Sequence, residues 1–150
     1  MKKYILYIGI LAALLAVPAE KSDVGRLLPV EAISIYKGEG TVRIETDTGN
    51  VGTGEDLEMA YQDLCRSAPA EIFLDTADFL ILRGEGAELI EQLRWDLKPG
   101  IRVCGSGETV DLASAAEYLS IHVPGKRLKD IHTGTGLEVL TQTETGFWLE

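Results

Sequence analysis

Two cysteines, two histidines and two methionines among 150 residues leave little material for thiol, imidazole or soft-metal chemistry. Cys65, Cys104, His122 and His132 are scattered along the chain, without the close ligand spacing of a metal site, so neither a metal nor any other cofactor is expected. One disulfide would be chemically permitted in an exported chain. However, Cys65 follows Leu64 on a helical stripe and Cys104 ends an apolar strand, a placement that predicts two buried free thiols. Basic residues are also scarce, at 14 Lys and Arg against 24 Asp and Glu, for a net charge of −10. That balance excludes nucleic acid and anionic membrane surfaces as partners, because both are bound through clustered cations that displace counterions. No apolar run reaches the roughly 20 residues that a membrane-spanning helix needs.

The longest apolar run, Tyr4 to Val17, follows Lys2 and Lys3 and stops at Pro18. A short basic segment, a run of this length and the small residues Val17 and Ala19 before Glu20 together have the form of an export signal. Residues 1–19 are therefore expected to be a signal peptide, or, if uncleaved, a short anchor through which the chain would attach to the membrane. Residues 20–28 read as a linker. With Lys2 and Lys3 set aside, the remaining 12 basic residues face all 24 acids, so the exported part is the more acidic.

Residues 29–150 are enough for one ordinary domain and too few for two. Alternation places Ile33, Ile35, Val42 and Ile44 on one face of a strand pair and Ser34, Arg43 and Glu45 on the other, with Lys37-Gly38-Glu39-Gly40 as the turn. Leu57, Ala60, Tyr61, Leu64 and Ala68 recur at helical spacing up to Pro69. Glu71–Asp75 and Phe79–Leu82 fit one interrupted strand or two. The continuous apolar run of the second is expected at the centre of the sheet, buried on both faces. A second helix is expected from Gly86 or Ala87 to Leu97, then a strand Ile101–Cys104, then a third helix with Asp111 as its cap. Lys126–Lys129 reads as a basic connector, and the tail reads as a small hairpin around Glu144-Thr145-Gly146. The pattern predicts an α/β fold of mixed α+β content: one domain, a mixed sheet, about three helices and hairpins at both ends.

No motif specifies a reaction. Gly52-Thr53-Gly54 before a helix suggests a phosphate cradle, but Glu55 and Asp56 put two carboxylates where an anion would bind. Leu57 also replaces the last glycine of a dinucleotide fingerprint. Thr53 with Asp56 instead resembles a capping box, so Thr53 is expected to start the helix. Asp75 and Asp78 are the best carboxylate pair for acid–base work, although a turn explains both. Ser106 lacks a full nucleophile elbow. His122, the remaining candidate base, has no tie to Ser106 or to the aspartates. Trp95, Phe147 and Trp148 read as core rather than as an interface.

The order of Gly52-Thr53-Gly54 opening a helix, the apolar stretch Ile72 to Leu82, a helix through Leu93 and then Lys98-Pro99-Gly100-Ile101-Arg102-Val103 resembles the N-terminal domain of the C-subunit lipoproteins of spore germination receptors. The similarity covers about residues 30–121. It implies an extracytoplasmic, non-enzymatic role beside membrane proteins. The departures are the missing lipid-bearing cysteine in Leu14–Ser22 and the lack of the further domains that follow in that family. The expected function is an exported or membrane-tethered interaction module with an envelope or membrane protein as partner. The alternatives are an extracytoplasmic hydrolase using Asp75 and Asp78, or a small-ligand-binding domain.

Overall fold

A computed structural model describes residues 27–132 and 135–150 of the chain. The signal or anchor expected over residues 1–19 lies outside them. The fold is α/β with mixed α+β content, built on one five-stranded mixed sheet. In chain order the strands are β1 (Leu27–Pro29), β2 (Ala32–Gly38), β3 (Thr41–Thr46), β4 (Val51–Gly54), β5 (Glu71–Phe73), β6 (Phe79–Gly84), β7 (Arg102–Ser106), β8 (Leu140–Thr143) and β9 (Gly146–Leu149). The α-helices among the described residues are α1 (Leu57–Ser67), α2 (Ile90–Asp96) and α3 (Leu112–Ile121).

The main sheet runs β4-β3-β2-β6-β7. β2, β3 and β4 form an antiparallel meander, and β2, β6 and β7 are parallel. The β2–β3 turn needs left-handed backbone at Glu39 (φ 46°) and Gly40 (φ 74°), the geometry of a tight hairpin. β6 lies inside the sheet with Phe79, Leu80, Ile81 and Leu82 all buried, as its continuous apolar run predicts, although the middle position belongs to β2.

Alternation sorts the strand residues into two cores. Ile33, Ile35, Val42, Ile44, Leu80, Leu82 and Val103 meet Leu57, Ala60 and Leu64 of α1 and Ile90 and Leu93 of α2 on one face. Ala32, Phe79, Ile81 and Cys104 meet Leu112, Ala115, Ala116 and Leu119 of α3 and Leu140 of β8 on the other. Ser34, expected to face outward, is therefore buried (1% exposed), and its hydroxyl has no hydrogen-bond partner among the described residues.

Both sheet edges are covered, which removes the open backbone groups on which another chain could pair. At β7, Val103 N–H donates to the Lys126 carbonyl (3.0 Å) and Gly105 N–H to the Glu138 carbonyl (2.8 Å). The expected basic connector is thus an edge cover, and Leu128 within it is fully buried. At β4, the Asp63 carboxylate of α1 accepts from Thr53 N–H (3.0 Å), and the Ser67 hydroxyl donates to the Val51 carbonyl (3.0 Å). Outside the main sheet, β1 pairs parallel with β5, which takes Leu27 and Leu28 out of the expected linker. The Thr76 hydroxyl fastens this ribbon, accepting from Val30 N–H at 2.9 Å.

Candidate functional site

The glycines of Gly52-Thr53-Gly54 position the candidate site. In a strand, residues i and i+2 share a face, so Gly52 and Gly54 both look toward α1, while the Thr53 hydroxyl meets the Asp63 carboxylate on the flank of that helix at 3.5 Å. A Cβ at Gly52 would collide with the Ala60 carbonyl and lie 2.6 Å from Leu64 Cβ, and one at Gly54 would lie 2.6 Å from Met59 Cβ. Their absence lets α1 settle on β4 and β3, while the 3-10 turn Gly86–Leu89 that leads into α2 packs on β2 and β6, and α2 itself packs beside the short helical turn at Leu128–Asp130. The stretch is neither a phosphate cradle nor a cap. Asp56 is the N-cap, its carboxylate accepting from Met59 N–H at 2.8 Å, whereas Thr53 lies within β4.

Between α1 and α2 the sheet is left open. A groove of about 480 Å³ has Ile33 and Ile35 of β2 and Ile44 of β3 as its floor. Leu57 and Tyr61 of α1 form one wall, Gln92, Leu93 and Leu97 the other, and Ile72, Phe73 and Leu74 close one side. Glu58, Glu71, Asp75 and Asp96 stand around this apolar hollow, and no Lys, Arg or His is among the lining residues. Among the described residues none of these four carboxylates enters an ion pair; Glu58 accepts only from the Gln62 amide, at 3.3 Å. The aromatic residues Tyr61 and Phe73 are 39% and 37% exposed. Partial burial, the neighbouring Cys65 thiol and the charges of Glu71 and Asp75 push the Tyr61 phenol up to about 12, so it is a neutral hydrogen-bonding group at physiological pH.

Of the candidates named from sequence, Asp75 lines this groove, and the structure does not join the others to it. Asp78 accepts from Lys98 Nζ at 2.7 Å and is not part of the lining. His122 ends α3 on the opposite side of the sheet, stacked on Tyr118 with ring centroids 4.4 Å apart. Ser106 is buried in its own turn, where its hydroxyl donates to the Glu108 carbonyl at 3.0 Å. A general acid, a general base and a nucleophile are therefore not assembled from these residues. Among the described residues no group of three or more His, Cys, Asp or Glu could hold a metal ion, and no helix is long and apolar enough to cross a membrane.

Several expectations need correction. Cys65 is exposed on α1, while Cys104 is buried beneath α3; both are free thiols. Burial, with a smaller contribution from the charge of Glu138, pushes the Cys104 thiol up to about 12. Trp95 (89% exposed) and Trp148 (63%) stand in solvent rather than in the core, and only Phe147 is half-buried, against Tyr118. Asp111 occupies the N-cap position of α3, but its carboxylate accepts from the Ser114 hydroxyl (2.6 Å) instead of a backbone N–H.

Sequence reasoning missed Tyr61, Gln92 and Asp96 as site residues. Their signal was the rim of acids beside two apolar helical stripes, but the gap between those stripes depends on how far apart the helices land. No protein-family model, no curated protein and no solved structure matches this chain.

Proposed function

We propose that this protein is a non-enzymatic binding module, exported or membrane-tethered, which receives part of an envelope or membrane protein in the groove between α1 and α2. The observation that carries the reading is the groove itself: a hollow of about 480 Å³ with an apolar floor and wall residues from both helices. Its size falls in the range typical of ligand sites. Against hydrolysis stands the separation of Asp75 from Asp78, whose carboxylate is engaged by Lys98, since acid–base cleavage needs two cooperating groups within reach of one substrate. The exported setting is supported by the form of residues 1–19, and a germination context by the resemblance over residues 30–121.

A photo-crosslinking residue in place of Gln92, which lines the groove, should capture an envelope protein in the host cell. The same residue in place of the exposed Glu117 on α3 should not. Asp78→Asn, outside the groove lining, should leave that capture intact, whereas Asp75→Asn, within the lining, should weaken it only in part. Equal capture from both positions would place the contact elsewhere. Hydrolysis of an envelope component that either aspartate substitution abolishes would replace the module with an enzyme.

A further inference from the structure

The rim of the groove defines what chemistry its occupant must have. Elsewhere in the fold five basic side chains are paired with acids: Arg43 and Arg83 with Glu45, Lys37 with Glu88, Arg94 with Glu91 and Lys98 with Asp78. Glu58, Glu71, Asp75 and Asp96 are left facing one hollow with no cation among its lining residues. Like charges around one concavity repel, and low-dielectric walls focus their field into it. An anionic or uncharged occupant leaves that repulsion in place, whereas a cationic one relieves it. The floor demands apolar groups as well, because Ile33, Ile35 and Ile44 form it.

The four carboxylates come from three separate elements: Glu58 from α1, Glu71 and Asp75 from the β5 segment and Asp96 from α2. A compact amine would meet one or two of them. A chain with cations on both sides of an apolar pair meets both walls while its large side chains reach the floor. We therefore infer that the groove takes an extended segment of a partner protein in which one or two large apolar side chains are flanked on both sides by Lys or Arg. This inference rests on the binding-module reading and specifies its ligand.

The probe is a dye-labelled synthetic peptide with a Phe-Leu pair flanked on each side by two lysines, titrated into the full chain at low and at high salt. Glutamate-flanked and serine-flanked peptides serve as controls. Saturable binding is expected for the lysine-flanked peptide alone, weakening as salt screens the rim. Replacing Glu71, Asp75 and Asp96 together by Gln, Asn and Asn should weaken it roughly tenfold or more. Gln92→Trp, which fills the hollow, should also abolish it. Circular dichroism checks that both variants are folded, and the substituted side chains are exposed. Binding lost in Gln92→Trp but unchanged by rim neutralisation or by flanking charge overturns the cationic assignment and leaves the groove as the binding site. Binding unaffected by either variant places the peptide elsewhere and removes both readings. No saturable binding of the lysine-flanked peptide overturns the peptide assignment. If benzylamine then binds in a rim-dependent manner, the groove reading survives with a small amine as its ligand.

Discussion

Asp56→Ala should destabilise the fold by about 0.5–2 kcal/mol, because it removes the side-chain acceptor for Met59 N–H at the start of α1. Thr53→Ala should matter less, since it removes only a long, exposed hydroxyl contact to Asp63 at 3.5 Å and keeps the backbone N–H that donates to the same carboxylate at 3.0 Å. Urea melts of the two variants decide the order, and a larger loss from Thr53→Ala would restore it as the cap. Gly52→Ala should be worse than a simple overpacking loss of about 1–3 kcal/mol suggests, because the new methyl meets backbone atoms of α1 rather than a flexible side-chain end. At this scale composition was a poor guide. Thr-x-x-Asp and Asp-Leu-Glu-Met are both plausible helix starts, and only the extension of β4 as far as Gly54 shows which one is used.

Among the elements, the long and strongly patterned ones were legible: β2 and β3 from alternation, β6 from its unbroken apolar run, α1 from its stripe and Pro69, and α3 from Leu112, Ala115, Ala116 and Leu119. β1 and β4 were not, because three or four residues carry no period, and their pairing with β5 and β3 is decided by neighbours distant in sequence. The second helix was legible in extent, although its first turn, Gly86–Leu89, is 3-10 rather than α. Two predictions belong to this scale. Thr76→Val should cost about 1 kcal/mol by leaving Val30 N–H without its acceptor, and hydrogen exchange should rise at Val30. An unchanged exchange rate there would mean the ribbon does not depend on that hydroxyl. In native protein one thiol, Cys65, should react readily with an aromatic disulfide reagent. Cys104, fully buried beneath α3 with its thiol pushed up to about 12, should react only on unfolding. Rapid reaction of two thiols would contradict the packing of α3.

For the whole molecule, net acidity was legible, but its concentration around one hollow was not. Glu58, Glu71, Asp75 and Asp96 are spread over 39 positions of the chain, and they converge only because α1 is drawn toward β4 by two glycines while α2 lies over the other half of the sheet. Asp75 was singled out from sequence with Asp78 as partner; the fold gives it Tyr61 and Glu71 as neighbours instead. The two tryptophans give a global readout. Trp95 and Trp148 are largely solvent-exposed, so native emission should lie close to that of unfolded chain and acrylamide should quench both readily. A strongly blue-shifted native spectrum would show that one of them is covered, in solution, by a second molecule.

The central claim is that partners are met in the groove between α1 and α2. Its most direct test is hydrogen exchange of the full chain with and without the lysine-flanked peptide. Protection confined to Leu57–Tyr61, Glu71–Asp75 and Gln92–Leu97 is the predicted result. Protection centred on α3 or on the β8–β9 hairpin, with those three segments unchanged, would contradict it.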